Sequence, residues 1–180
     1  MLKWFYLALV SVVGAGIVHI VVLLLLPQFS EKDAWASLAE AADFYKAVRI
    51  DADGGRASIV KAGDPLFYAA ACRFDLTEGA VHLRAPGKVP YWSVSIYNRS
   101  GQNIYSFNDR TTDTGSLDFV VLTSAQMIEI RKQMPEEFQK SIFVEAAVGE
   151  GIVVVRSFVP DQSWNQTISS FLRSIACTKE

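Results

Sequence analysis

The side chains best suited to bind a charged ligand are three consecutive residues near the middle of the chain, Asn108, Asp109 and Arg110. They bring together an amide, a carboxylate and a guanidinium, and an arginine can hold a carboxylate or phosphate through two parallel hydrogen bonds. The trio is therefore a candidate site for a polar head group. The alternative is structural, because Asp109 and Arg110 could equally close a hairpin through a salt bridge and local hydrogen bonds.

Aromatic side chains are concentrated just before this trio. Tyr91 and Trp92 open a strand pattern, and Tyr105 lies on the next one. Alternate rings on a strand share one face, and such a face could line an apolar cleft for a lipid or glycan. Rings on strands also form core or cross-strand pairs. The candidate binding residues are therefore Tyr91, Trp92, Tyr105, Asn108, Asp109 and Arg110.

Nucleophilic catalysis would have to use His82, the one histidine outside the N-terminal apolar run. It would act as the base of a serine–histidine–aspartate site, with Ser93, Ser95 or Ser106 as nucleophile. The sequence has no G-x-S-x-G elbow, and His82 lies mid-strand between two aliphatic residues. We therefore expect His82 to face solvent, and we predict no catalytic residue.

Composition argues against several other functions. The two cysteines, Cys72 and Cys177, are not in C-x-x-C spacing, so they cannot form a zinc site alone. They are either one disulfide or two buried thiols. We find no metal-ligand set and no cofactor motif, and we predict neither a metal nor a cofactor. The net charge of -2, without a run of Lys or Arg, offers no broad attraction to nucleic acid.

All of these residues follow an apolar run over 4–26, in which His19 is the only side chain that can ionise near neutral pH. A helix of this length is about 35 Å long, enough to cross the hydrocarbon core of a bilayer. Lys3 precedes the run, so the positive-inside rule favours a cytoplasmic N-terminus with the domain outside. A signal peptide cleaved near Ala34-Trp35-Ala36 is the alternative, but the run exceeds the usual apolar region of such peptides. We predict an uncleaved signal-anchor over 1–29.

One face of this anchor carries Ala8, Ser11, Ala15 and His19 at helical spacing. Small residues let another helix approach closely, and a histidine in a membrane usually faces protein or water. The face is a candidate interface with a membrane partner or with a second copy. The alternative is a simple anchor, with His19 bonded to a nearby carbonyl.

The residues after the anchor predict one further helix and then a β-rich domain. Pro27 should end the spanning helix, because it cannot donate the next backbone hydrogen bond. Ser30 should then cap a juxtamembrane amphipathic helix over 30–50 that packs on its own domain, the alternative being that it lies among the lipid headgroups. Thr123 with Gln126 predicts a helix through Met134, and Ser163 with Gln166 predicts a C-terminal helix. The predicted strands are 57–61, 66–76, 80–84, 91–98, 103–108, 117–122, 142–148 and 152–159.

These elements predict a single α+β domain over 51–180. Short turn-forming connections between the strands favour antiparallel pairing. The expected architecture is a mainly antiparallel β-sandwich or partly closed barrel with flanking helices, which includes the C-terminal helix.

Segment 64–110 contains a strand and turn at 75–79, the aromatic pair Tyr91-Trp92 and the ending Asp109-Arg110. In these features it resembles the bacterial envelope family known as domain of unknown function 1254. Ala80 departs from the proline that relatives often carry after the glycine. The sister family, domain of unknown function 1214, has a similar Trp-Ser strand and ending. The resemblance implies a mainly β structure, and no catalytic residue is carried over from the family to this sequence.

Together with the predicted anchor and its orientation, this resemblance to an envelope family predicts a bacterial inner-membrane protein with its globular domain in the periplasm. Relatives often carry both domain types in tandem, so this shorter chain is expected to work beside a separate partner of the sister type. The sequence therefore predicts a non-enzymatic, single-pass binding or assembly module for a membrane partner or an envelope lipid or glycan. The alternative is a lipid- or glycan-modifying envelope enzyme that uses Asp109, Arg110 and His82.

Overall fold

A computed structural model describes residues 2–51, 58–59, 64, 66–112 and 115–180, with side chains left out over 26–33. The predicted strand 57–61 therefore lies largely outside the described residues. Three helices and nine strands make up the described part, and the strands form two sheets.

The first helix, α1 (Leu2–Ala41), is one continuous element of 40 residues. Its segment Leu2–Leu25 is long and apolar enough to cross a membrane, as expected. Two expectations about its end were wrong. The helix continues through Pro27, since a proline removes one backbone hydrogen bond without preventing helical backbone on either side. It then ends at Ala41, so no separate helix occupies 30–50. Tyr45, in the left-handed conformation with φ 59°, follows that end.

The larger sheet has five strands in the order β1-β2-β8-β4-β5, and all its pairs are antiparallel. Its central strand β8 contains the apolar run Ile152–Val155, which needs cover on both faces. The five strands are β1 (Val48–Arg49), β2 (Phe67–Asp75), β4 (Trp92–Asn98), β5 (Asn103–Asn108) and β8 (Glu150–Phe158).

The smaller sheet has the order β7-β6-β3-β9. Its strands are β3 (Val81–Ala85), β6 (Leu117–Leu122), β7 (Ile142–Glu145) and β9 (Ala176–Lys179). The pair β6–β7 is parallel, because helix α2 (Ser124–Lys132) lies in the connection between these strands. The other pairs are antiparallel. Strand β9 was missed by the sequence analysis.

The two sheets share one core, with Phe74 and Val153 from the larger sheet and Leu83 and Phe119 from the smaller one. The expected α+β, antiparallel-rich architecture is confirmed, and the sheets do not close into a barrel. Cys72 on β2 and Cys177 on β9 are joined by a disulfide that crosses this core, with 6.6 Å between their Cα atoms. For a closed loop of this size, the chain-entropy model gives a stabilisation of about 4–5 kcal/mol.

The helix caps show one success and one error. Thr123 and Gln126 form the expected capping box of α2, with the Thr123 amide donating to Gln126 Oε1 at 2.8 Å. The predicted cap at Ser163 is wrong, because Ser163 lies within a 3-10 turn that Asp161 caps by accepting from the Ser163 amide at 2.8 Å. The C-terminal helix itself begins without a side-chain cap. A short 3-10 turn follows Asp161 and leads into α3 (Asn165–Arg173), which packs on the core.

Candidate functional site

The aromatic residues predicted to line a cleft lie in different environments. Trp92 is buried in the core, where its Nε1 donates to the Gly115 carbonyl at 2.8 Å. Tyr91 is half-buried, with its ring edge-on to Phe67. Tyr105 is 47% exposed, at the edge of the larger sheet. These three rings therefore do not form one surface.

The trio Asn108, Asp109 and Arg110 forms a local turn at the end of β5. The Asn108 side chain accepts from the Arg110 amide at 3.1 Å and so caps a 3-10 turn. Arg110 is exposed. Asp109 Oδ1 is buried and has no hydrogen-bond partner among the residues described. The geometry of Asn108 is that of a turn, in agreement with the structural alternative for this residue.

His82 does not face solvent, and this expectation was wrong. The side chain is buried on the face of the smaller sheet that is turned away from the shared core. Phe138, on the short turn Glu136–Phe138, covers it with an edge-on ring contact at 5.1 Å. Strand alternation had predicted solvent on this face, but the connection between β6 and β7 folds over it.

The hydrogen bonds of His82 differ from those of a catalytic triad. Its Nε2 lies 2.9 Å from Asp118 Oδ1, and the carboxylate can only accept, so Nε2 carries the proton. The Ser141 hydroxyl donates to the same carboxylate oxygen at 2.5 Å. The serine thus bonds to the acid rather than to the imidazole, and the histidine cannot take its proton. No contact within the described part of the chain joins His82 to Asp109 or Arg110.

A site that the sequence analysis missed lies where α1 meets the larger sheet. Its floor is the outer face of β2 and β8, formed by Ala71, Ile152 and Val154. Trp35 and Leu38 of α1 form its wall. We call this space, about 350 Å³ in volume, the anchor cleft. Its size lies within the range of small-molecule sites.

The anchor cleft follows from the apolar character of both faces of the central strands. Val153 and Val155 of β8 face the shared core, whereas Ile152 and Val154 face outward and need cover of their own. Leu38 supplies part of that cover and is itself buried. Little of these floor residues stays exposed, 7% of Ile152 and 9% of Val154, and the cleft is the space beside the helix end that lies over them.

Two arginines complete the anchor cleft. Arg99 pairs with the Glu150 carboxylate, and its guanidinium carbon lies 5.3 Å from the centre of the Trp35 ring. Arg156 on β8 is exposed, and within the described residues its side chain makes no hydrogen bond or ion pair. The cleft therefore combines an apolar floor with two arginines. Arg99 is paired with a carboxylate, and Arg156 has no charged partner among the described residues.

Arg73 attaches α1 to the larger sheet beside this cleft. Its side chain is buried and donates from Nη2 to the Ala42 carbonyl at 2.8 Å, just past the end of the helix. The guanidinium carbon lies 4.6 Å from the Phe44 ring centre and 5.3 Å from that of Trp35. A cation at a helix C-terminus is favoured by the helix dipole. These contacts fix the position of the cleft wall.

Tyr45 makes a second attachment after the helix. Its hydroxyl donates to the Asp75 carbonyl at 2.8 Å and lies 3.1 Å from a Glu78 carboxylate oxygen. Burial, together with the hydrogen bond to Glu78, raises the pKa of Tyr45 to about 12.

The predicted membrane interface lies on the exposed surface of α1. Ala8, Ser11, Ala15 and His19 are all exposed there. The Ser11 hydroxyl donates to the Leu7 carbonyl at 2.9 Å, so its polar group is satisfied within the helix. A partner for this face stays a prediction.

Comparisons with known proteins identify related chains but no activity. A family model described as "Protein of unknown function (DUF1254)" matches residues 45–179. No curated protein matches. The VPA0106 protein of Vibrio parahaemolyticus has a similar fold, with a TM-score of 0.60 at 8% identity, over 83% of this chain and 34% of that one.

A second solved structure, an uncharacterised protein from Burkholderia cenocepacia, gives a TM-score of 0.48 at 15% identity. The match covers 74% of this chain and 36% of that one. This chain therefore spans about a third of the length of both solved structures.

Proposed function

Because this chain belongs to the DUF1254 family, whose function is unknown, we propose a function from the geometry of its own site. The protein is a single-pass, membrane-anchored binding module of the bacterial envelope. Its anchor cleft binds an anionic amphiphile, a molecule with an apolar tail and a phosphate or carboxylate head. The domain lies on the periplasmic side of the inner membrane.

The observation that carries this proposal is that one continuous helix supplies both the membrane anchor and the cleft wall. From Leu25 to Trp35 the helix rises roughly 15 Å, at 1.5 Å per residue. The headgroup layer on each side of a bilayer is about 5–8 Å thick. The cleft therefore lies a short distance beyond the headgroups, where a lipid that leaves the bilayer would meet it first.

The chemistry of the cleft favours an anionic head on that lipid. The floor of Ala71, Ile152 and Val154 offers only apolar contact. Arg156 can bind a phosphate or carboxylate through two parallel hydrogen bonds without breaking a contact to another described residue. A neutral amphiphile would leave that guanidinium without a new partner, so we expect it to bind more weakly.

The geometry gives no support to the enzymatic alternative. His82 is enclosed in the smaller sheet, while Asp109 and Arg110 follow the edge strand of the larger one. Within the described residues, no hydrogen bond or ion pair links His82 to Asp109 or Arg110.

Ligand-induced stabilisation of the full chain tests the proposal. Dodecyl phosphate should raise the thermal unfolding midpoint of protein in neutral dodecyl maltoside micelles, since a ligand that binds only the folded state stabilises it. Dodecyl trimethylammonium, with the same chain and the opposite charge, should not. Val154→Phe fills the cleft and should reduce the increase, as should Arg156→Ala.

The control is Arg131→Ala, which removes an exposed arginine from α2, the helix that packs on the smaller sheet rather than on the sheet that forms the cleft. It should respond to dodecyl phosphate as the wild type does. An equal increase in wild type, Val154→Phe and Arg156→Ala would contradict binding in the cleft.

A further inference from the structure

Strand β5 is an exposed edge of the larger sheet. It pairs with β4 on one side, and no other described segment bonds to the backbone along its outer side. Residues 103–106 are all exposed, with Ile104 at 38% and Tyr105 at 47%. An unpaired strand edge presents a row of backbone donors and acceptors to any further strand.

The other three sheet edges in the described structure are protected, and β5 is not. Strand β1 has two residues and includes Arg49, β7 has four and ends in Glu145, and β9 has four and ends in Lys179. Short length and charge are the usual devices that prevent edge pairing. Strand β5 has six residues and contains neither a charge nor a proline. It is therefore the edge best suited to accept a strand.

We propose that β5 pairs with β5 of a second copy of this chain, antiparallel and around a twofold axis. The two five-stranded sheets then form one continuous sheet. For two identical antiparallel strands in one sheet, the twofold axis is perpendicular to the sheet. Both outer faces, each in contact with the end of its own α1, therefore point to the same side of the joined sheet.

Side chains along β5 favour one register of this pairing. Opposite residues in an antiparallel pair have their side chains on the same face of the sheet. The register must therefore place residues of one face opposite residues of the same face in the partner. With Ser106 opposite the partner's Ser106, each Tyr105 lies opposite the partner's Phe107. Aromatic cross-strand pairs of this kind are favourable. Confinement to one membrane raises the effective concentration of the two copies, so a modest interface suffices.

The pairing is distinct from contact between the membrane helices. In the order β8-β4-β5 and its symmetric copy, the two β8 strands are five strand spacings apart, about 24 Å. The two α1 ends that pack over β8 are therefore at least this far apart. Pairing through β5 thus uses none of Ala8, Ser11, Ala15 and His19 as part of its interface.

A cysteine at the axis tests the pairing in the full chain. Cys72 and Cys177 are already bonded, so Ser106→Cys adds one free thiol. Opposite residues of an antiparallel pair have Cα atoms about 4.5–5.5 Å apart, within the range for a disulfide. In nanodiscs under mild oxidation, the variant should form a covalent dimer in good yield. Ser170→Cys, at an exposed position of α3, should stay mostly monomeric.

A second experiment introduces a charged side chain into strand β5. Ile104→Lys should shift the mass of the detergent-solubilised protein from two chains to one, and it should lower the crosslinking of Ser106→Cys to the level of Ser170→Cys. Ile128→Lys, at an exposed apolar position of α2, should keep the mass of two chains.

A monomeric wild type would overturn the proposal, as would crosslinking of Ser106→Cys that does not exceed the control. Arg156→Ala should leave the dimer intact, so failure of the cleft proposal is distinguishable from failure of this one.

Discussion

The outer faces of the two sheets are covered to different extents. On the smaller sheet, α2 and the turn Glu136–Phe138 cover the outer face, and its buried polar group, His82, is paired with Asp118. On the larger sheet, the end of α1 covers only part of the outer face, and it leaves an apolar floor beside Arg156. The comparison shows a closed polar pair under one outer face and an apolar space beside an arginine on the other, which is where we propose that the ligand binds.

We expect the largest difference between the two faces in the free energy of unfolding after removal of the aromatic ring that covers each of them. Phe138→Ala removes a fully buried ring from the closed face and should lower the free energy of unfolding by about 3–5 kcal/mol. Trp35→Ala removes a half-buried ring from the wall of the anchor cleft and should lower it by about 2 kcal/mol. Urea unfolding of both full-length variants in neutral micelles measures the difference. A larger loss for Trp35→Ala would contradict the contrast between the faces.

His82→Ala should have an intermediate effect. It leaves Asp118 with the Ser141 hydroxyl as its remaining side-chain donor, and it leaves space beside Phe138. We expect a loss of about 1–3 kcal/mol in the free energy of unfolding. Binding of dodecyl phosphate should be unchanged, and a loss of binding without a loss of stability would assign His82 to the ligand site instead. His82→Gln, which keeps an amide donor for Asp118, is the matched control and should lose less.

The smallest effect concerns Tyr45, which fixes the chain after the anchor helix. Its pKa in the folded protein is raised from 10.0 to about 12, so the protonated hydroxyl is the form that the folded state favours. The contribution of the Tyr45 hydroxyl to stability is complete below pH 10 and is lost as the pH rises from 10.0 to about 12. The stability difference between wild type and Tyr45→Phe should therefore narrow between pH 10 and pH 12. A constant difference over this interval, measured by thermal unfolding, would contradict the assigned hydrogen bonds.

Much of the fold could be predicted from local sequence patterns. Strand alternation located β4 and β5 closely, and the pair Thr123 and Gln126 located the start of α2. Strand β9 was missed because its short sequence follows α3 directly and pairs with the distant strand β3. The position of His82 was missed for a related reason, since strand alternation cannot show that a later turn will cover the polar face.

The candidate site was harder to predict than the fold. The anchor cleft combines residues from α1, β2 and β8, which are far apart in sequence. Only one signal pointed towards it, the continuous apolar run in β8, which indicated that both faces of that strand need cover. The stronger local signals, the aromatic rings and the trio at 108–110, belong instead to the core, an edge and a turn.

Photolabelling of the full chain in nanodiscs tests the central claim most directly. An alkyl phosphate with a diazirine in its tail should label the cleft residues Trp35, Leu38 and Val154, and mass spectrometry of the peptides would locate the label. Arg156→Ala should strongly reduce this labelling, while Arg131→Ala should not. Labelling confined to the membrane-spanning part of α1, or labelling of the cleft that does not depend on Arg156, would contradict the account.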